Sequence, residues 1–242
     1  MNARDECGVC GGALTAGRTA DYARCRRCGH ERRRGAGATL PMLNEHLDAG
    51  AIRRGSALGR FQSGVTDACA AERETLLDVG CGSGGIPARA AQAVSPRRQG
   101  EVSPACREFA RRELGLRVEE SVPSDLPPLS VVTFWHSLEH LTLAQIDGAL
   151  GAVRGQCSPR TRVIVCVPNA ASALYQFIGE RYPYFDAEEH PQQFTEDSLD
   201  RVMVRGGFVL ERRLFALGYS SFGYLQGLLN ARPPRATSSI SG

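Results

Sequence analysis

The stretch Leu76-Leu77-Asp78-Val79-Gly80-Cys81-Gly82-Ser83-Gly84-Gly85 constrains the fold more than any other part of the chain. A short apolar run ends in an acid, turns through alternating glycines, and opens a helix at Ile86-Pro87-Ala88. Strand, Gly-rich turn and helix start are the parts of a nucleotide-binding first βα unit. Glycine lets the backbone approach a ligand closely and take up φ > 0. Pro87 suits the first helical turn, where its missing N–H costs nothing. A plain αβ turn would look similar, so two further residues matter. Asp78 directly before the glycines is an odd choice if the ligand is a pyrophosphate. Glu101 lies about 20 residues downstream, where a carboxylate at the tip of the next strand accepts two ribose hydroxyls. A positively charged cofactor without phosphates fits this balance better than a dinucleotide does, with a dinucleotide dehydrogenase as the main rival.

A chain of 242 residues has room for one α/β domain and a small appendage. Its hydrophobic content of 42% supports a core, and no apolar run approaches the ~20 residues of a membrane span. The polar N-terminus carries no secretory pattern, so a cytoplasmic protein is expected. Net charge is a mild +3, and every basic residue is arginine, which excludes neither an acidic nor a nucleic-acid partner. Nine cysteines in a cytoplasmic chain read as metal ligands and small core residues rather than disulfides.

Cys7-Gly8-Val9-Cys10 and Cys25-Arg26-Arg27-Cys28 are paired C-x-x-C knuckles, each followed by a glycine. Four thiolates with no open position make a structural zinc site, and metal binding would supply the folding energy that so short a segment lacks. His30 reads as a bystander. Residues 1–34 are therefore expected to form a zinc ribbon. Glu31-Arg32-Arg33-Arg34 and the following glycines read as the start of a linker. Residues 35–74 read as a helical linker or cap, with Leu43 and Leu47, then Leu58, Phe61 and Val65, on common faces.

The core domain is expected over 75–230, with a flexible tail at 231–242. Its first strand is 75–79. The second must fall within Ser95–Val102, although this stretch is almost devoid of apolar residues, whereas buried parallel strands normally read as Val/Ile/Leu runs. Leu116–Glu120, Val131–Trp135 and Arg162–Val167 read as the third to fifth strands, with Leu143, Ile146, Leu150 and Val153 on one face of the intervening helix. Thr195 reads as a helix N-cap. Phe208–Leu214 and Phe215–Tyr219 are expected to pair with each other as antiparallel sixth and seventh strands. The whole predicts an α/β, doubly wound, seven-stranded, mostly parallel sheet.

The glycine motif, Glu101-Val102-Ser103-Pro104, Phe134-Trp135-His136-Ser137-Leu138-Glu139-His140, Val167-Pro168-Asn169, His190 with Phe194-Thr195, and Gly206-Gly207-Phe208 together resemble the class I S-adenosylmethionine-dependent methyltransferases. The likeness is to the ubiquinone-methyltransferase-like branch, some members of which carry an N-terminal zinc ribbon. It covers roughly residues 75–230. It implies that Asp78, Gly80, Cys81, Gly82 and Glu101 contact S-adenosylmethionine, with Trp135 beside the cofactor. His136, His140 and His190 then fall in the mouth of the site as candidate catalytic groups, suited to taking a proton from an oxygen nucleophile. A helix through 136–140 would set His136, Glu139 and His140 on one face. They could serve as a metal site with His190, as base and substrate contacts, or as loop structure.

The expected function is methyl transfer to a small-molecule acceptor, a natural product, sugar or quinone-like ring, favoured by the aromatics Tyr175, Phe177, Tyr182, Tyr184 and Phe185. An RNA methyltransferase gripping substrate with the ribbon is a second possibility, disfavoured by mild charge and by aromatics that are not interleaved with basic residues. A degenerate, non-catalytic binding module is the third.

Overall fold

Two sheets organise the molecule. In the computed structural model, residues 6–35, 50, 57–69, 75–84, 97–124, 126–178, 189–220 and 223–232 are described. The helix expected after Gly85, Leu43 and Leu47, and the aromatics Tyr182, Tyr184 and Phe185 lie outside them.

The N-terminal module contributes β1 (Leu14–Ala16), β2 (Tyr22–Cys25) and β3 (Glu31–Arg33), antiparallel in that order. Glu31-Arg32-Arg33 was expected to be linker; it is a paired strand. The reason is local charge compensation, because fully buried Glu31 lies 3.4 Å from Arg18 and 3.8 Å from Arg24.

Helix α1 (Ala57–Cys69) leads into β4 (Leu76–Val79), the centre of the main sheet. Next come β5 (Arg97–Gly100), α2 (Pro104–Leu114) and β6 (Val118–Glu119). Ser103 caps α2, accepting from the Cys106 N–H, and Gly115 closes it at φ 66°. Then β7 (Leu129–Trp135), a 3₁₀ turn (Leu138–His140), α3 (Leu143–Arg154) and the long β8 (Cys157–Pro168) follow. These five strands run parallel in the order β6-β5-β4-β7-β8.

The polar sequence Arg97-Arg98-Gln99-Gly100 does form the second strand. Backbone pairing to β4 on one side and β6 on the other holds it, and Gln99 is fully buried. Strand pairing is satisfied by the backbone alone, so an apolar side chain is customary there rather than required.

After α4 (Ala173–Ile178) the chain returns through β9 (Gln192–Gln193), which joins not the main sheet but β3 of the N-terminal module. Helix α5 (Glu196–Arg205) is capped by Thr195 as expected. The edge differs from expectation. β10 (Val209–Arg212) and β11 (Phe215–Ser220) do not pair with each other. Both pair antiparallel with β12 (Gly223–Arg232), which itself lies antiparallel to β8. Val209 faces Arg232 and Phe215 faces Gln226, so β10 and β11 lie end to end along one edge of β12 and cannot meet. The expected tail thus begins inside a strand, since β12 reaches Arg232.

One face of the sheet packs Leu77, Val132, Phe134, Val163 and Val165 against Ile146, Leu150 and Val153 of α3 and Leu199, Val202 and Met203 of α5. The other packs Leu76, Val131, Trp135 and Ile164 against Phe61 and Val65 of α1. Among the described residues no helix is long and apolar enough to cross a membrane.

Candidate functional site

The carboxyl ends of β4, β5 and β7 converge on the glycine turn, where an open α/β sheet presents its ligand site. Gly80, Gly82 and Gly84 take φ of 75°, 53° and 84°. At Gly80 the absence of a Cβ is a necessity, since one would come 2.5 Å from the Cβ of Ser137. The Gly80 and Cys81 N–H groups donate to the Gly100 carbonyl at 2.7 and 3.3 Å, which ties the turn to β5.

Two carboxylates line this turn. Glu101, nearly buried, accepts from the Gly82 N–H at 2.7 Å and from the Ser103 N–H at 2.8 Å. Asp78 is buried at the end of β4 and accepts from the Thr133 hydroxyl at 2.6 Å. Its second oxygen has no hydrogen-bond partner among the described residues. Burial pushes the Asp78 carboxyl up to about 7, against the Thr133 hydrogen bond and with the help of the Glu101 charge. Burial likewise raises the half-buried Cys81 thiol. Trp135, also expected here, is buried in the apolar cluster with Leu76 and Ile164.

The three candidate histidines follow from where β7 ends. His136 leaves the strand at φ 52°, in the left-handed region, so it is not part of a helical face with Glu139 and His140. That expectation fails because the helix is a single 3₁₀ turn starting at Leu138. The side chains nevertheless meet: His136 Nδ1 lies 3.2 Å from Glu139 Oε1, and Nε2 lies 3.7 Å from Cys166 Sγ. Burial disfavours the imidazolium, but Cys166 and the buried Glu139 carboxylate outweigh it and hold His136 well above its ordinary range. Burial would raise Glu139, but His136, His140 and His190 together lower it. His140 and His190 stack with ring centres 4.5 Å apart, and His140 Nδ1 lies 2.7 Å from the Glu189 carbonyl. One ligand atom from each of Glu139, His140 and His190 lies within 4.8 Å of the others, a set that does not include His136.

The four cysteines Cys7, Cys10, Cys25 and Cys28 also converge, all sulfurs lying within 4.8 Å of one another. Cys7–Cys28 and Cys10–Cys25 are 3.7 and 3.4 Å apart. Tetrahedral Zn–S bonds of ≈ 2.3 Å would set sulfurs about 3.8 Å apart, so the donor set fits that ion. The hydrogen bond from Cys28 lowers the Cys7 thiol to about 4, and the same pairing raises Cys28. His30 lies outside this set of four and serves the packing instead. Fully buried, its Nε2 lies 2.9 Å from Gln192 Oε1, and burial keeps its pKa low.

Several participants were not anticipated from sequence. Thr133 pairs with Asp78, Cys166 faces His136, and the Tyr22 hydroxyl donates to the His190 carbonyl at 2.7 Å. Thr133, at an inward position of β7, carried a signal: a hydroxyl within an apolar strand. Tyr22 carried none.

A parallel five-stranded Rossmann-like sheet, with a glycine turn flanked by Asp78 and Glu101, defines a class I S-adenosylmethionine-dependent methyltransferase. The family described as "Methyltransferase domain" matches residues 44–212, and the chain belongs to it. No curated protein matches the chain in sequence. Among solved structures, it is similar to the 1,6-didemethyltoxoflavin-N1-methyltransferase of Burkholderia thailandensis, which holds its substrate and S-adenosylhomocysteine. The TM-score there is 0.62 at 15% identity, over 91% of this chain and 98% of that one. Magnesium protoporphyrin IX methyltransferase of Synechocystis PCC 6803, with bound S-adenosylhomocysteine, matches at TM-score 0.56 and 15% identity, over 72% of this chain and 83% of that one. The mitomycin 7-O-methyltransferase MmcR matches at TM-score 0.57 and 17% identity, over 75% of this chain and 56% of that one. At such identities the likeness is one of fold.

Proposed function

We propose that this enzyme, of the ubiquinone-methyltransferase-like branch, methylates a small-molecule acceptor, with S-adenosylmethionine bound along Asp78, Gly80, Cys81, Gly82 and Glu101 and with Trp135 beside it. The observation that carries the reading is the Glu101 carboxylate, held by two backbone N–H groups at the lip of the glycine turn. A carboxylate so fixed is oriented for vicinal hydroxyls, and Asp78 behind it adds a second negative group for a cationic ligand. The structural neighbours act on porphyrin, mitomycin and toxoflavin-type rings, and a cyclic acceptor fits the same architecture here.

S-adenosylmethionine supplies an electrophilic sulfonium methyl. The chain's part is to hold the acceptor atom in line at about 3 Å and to manage its proton. His136, paired with Glu139, stays charged and orients that carboxylate, while His140 and His190 contact the acceptor oxygen and take up its proton. Cys7, Cys10, Cys25 and Cys28 hold a structural zinc in an N-terminal ribbon over 1–34, ahead of a linker at 35–74 and the catalytic domain at 75–230. None of the nine cysteines is in a disulfide, as a cytoplasmic location would require.

Calorimetric titration of the zinc-loaded protein with S-adenosylhomocysteine, beside Glu101→Ala, tests the reading. Micromolar binding that disappears in the variant is expected. No binding to either protein refutes it in favour of a non-catalytic module.

A further inference from the structure

The backbone from His190 to Gln193 is held by the N-terminal module, whereas the residues at either end of it are held by the catalytic sheet. The Tyr22 hydroxyl donates to the His190 carbonyl at 2.7 Å, and the Arg33 N–H donates to the Pro191 carbonyl at 2.9 Å. Gln192 and Gln193 then pair with Arg32 and Glu31 of β3. Two side chains add to the seam: Gln192 meets the buried His30 at 2.9 Å, and Gln193 Nε2 donates to the Tyr22 oxygen at 3.3 Å. At the ends, the Glu189 carbonyl lies 2.7 Å from His140 Nδ1, and the Phe194 carbonyl accepts from the Ala170 N–H at 2.7 Å. The His190 ring stacks on His140, so the carbonyl contact with Tyr22 bears on a ring at the mouth of the site. The module also reaches α4, where the Arg18 guanidinium lies 4.6 Å from the centre of the buried Tyr175 ring. Asp78 and Glu101, by contrast, are held from within the sheet and its glycine turn, by Thr133, Gly82 and Ser103.

The module has little with which to fold by itself. Its strands are three or four residues long, and its own apolar cluster is Cys7, Cys25 and Cys28 with the partly buried Val9, Cys10 and Leu14. So small a core needs the ion that its donor set fits. We propose that the N-terminal module is one wall of the acceptor site, and that metal occupancy of Cys7, Cys10, Cys25 and Cys28 orders that wall while the cofactor turn stays assembled without it. With the cysteines loaded, β3 offers its edge to β9 and Tyr22 pins His190. With them empty, residues 190–193 lose these bonds and come loose between fixed ends at Glu189 and Phe194. The name acceptor site rests on the reading that the mouth at His140 and His190 receives the acceptor; the coupling of metal to residues 190–193 does not.

The test is hydrogen exchange and S-adenosylhomocysteine titration on the full chain in three states: loaded with zinc, stripped by a chelator under reducing conditions, and reloaded. Zinc-loaded Tyr22→Phe is measured beside them. Stripping should speed amide exchange at 190–193 by about 10-fold or more, and reloading should reverse it. Exchange in β4 and β7 and the affinity for S-adenosylhomocysteine should change by less than about 2-fold, since neither depends on the module. Tyr22→Phe leaves the four thiolates in place and should speed exchange at 190–193 by about 2- to 10-fold, the loss of one buried hydrogen bond. Exchange at 190–193 that ignores zinc overturns the proposal, as does wild-type exchange there in Tyr22→Phe. Stripping that speeds β4 and β7 equally, or that abolishes S-adenosylhomocysteine binding, also overturns it, because the module would then support the whole fold rather than one wall. Failure of S-adenosylhomocysteine to bind in every state counts against the cofactor reading alone, and the exchange comparison still decides the coupling.

Discussion

Replacing Asp78 with asparagine should stabilise the ligand-free protein in mildly basic solution, even though the residue sits at the heart of the proposed cofactor site. The carboxyl titrates near 3.8 in the unfolded chain and near 7 in the fold, chiefly because burial opposes its charge. Between those values the folded state holds one proton more than the unfolded state, so stability falls as pH rises and the loss is complete above about 7. At 1.36 kcal/mol per pKa unit, a shift of roughly 3 units costs about 4 kcal/mol. Asparagine keeps an oxygen to accept from Thr133 but places an NH₂ where Oδ2 has no partner, at a cost of about 1–3 kcal/mol. The variant should therefore be more stable than wild type by about 1–3 kcal/mol at about pH 8 and lose that advantage near about pH 5, a swing of about 3 kcal/mol.

Urea unfolding of both proteins at the two pH values measures the swing directly, with the slope of each transition checked for equality. Two parallel pH profiles would refute the reasoning, because they would mean that Asp78 is already ionised at low pH and its burial is compensated by groups not considered. The same proton is linked to the ligand. In wild type, S-adenosylmethionine affinity should drop about tenfold for each pH unit below about 7, because an ionised Asp78 is what a cation favours. The asparagine variant should bind weakly and with no such slope.

Three further substitutions probe the frame around the site. Gly80→Ala combines φ 75° with a Cβ contact of 2.5 Å to Ser137; it should cost more than about 2 kcal/mol and abolish S-adenosylhomocysteine binding. Gly151→Ala, mid-helix with nothing near its Cβ, should instead gain about 0.5–1 kcal/mol in the same denaturation assay. Thr195→Ala removes the cap acceptor for the Ser198 N–H and the 2.6 Å donation to the Cys28 carbonyl. A loss of about 1–2 kcal/mol is expected, with faster amide exchange in both α5 and the Cys25–Cys28 knuckle. Exchange unchanged in the knuckle would show that the two elements are not coupled.

What was legible in the sequence was whatever is encoded locally. The glycine turn, the Ser103 and Thr195 caps, the cysteine knuckles and the apolar runs of β4, β7 and β8 each announce themselves within a few residues. The pairing partners did not. β10 and β11 look like a hairpin because each is a short strand-like run separated by little chain, yet their partners lie beyond Gly223, and only the register along β12 shows that they are collinear. Gln192-Gln193 has no strand signature at all; it is a strand because β3 offers it an edge. β5 was visible only through Glu101, because Arg98 and Gln99 advertise solvent while the backbone on both sides demands a strand. His136 defied helical spacing for a similar reason. The left-handed turn that ends β7 at His136 is a tertiary feature, and three residues of 3₁₀ helix cannot sustain a face.

The same distinction decides how the N-terminal module should be regarded. Read in order, it is an appendage joined by a linker; in space, its third strand is continued by β9, a segment some 160 residues away. Besides that pairing, four of the links between the two are Tyr22 to the His190 carbonyl, His30 to Gln192, Thr195 to the Cys28 carbonyl, and Arg205 to the Gly8 carbonyl at 2.9 Å. Three of the four end on residues 190–195, and the first ends on His190 itself. The segment's own regular structure is only the two-residue β9; these contacts hold it from one side, and the Asn169–Phe194 bridge with the burial of Phe194 in the main core holds it from the other. Folding of the cysteine knuckles therefore bears on where His190 stands. A metal bound by Cys7, Cys10, Cys25 and Cys28 would set the geometry of a site whose other two members, Glu139 and His140, come from the 3₁₀ turn that follows β7.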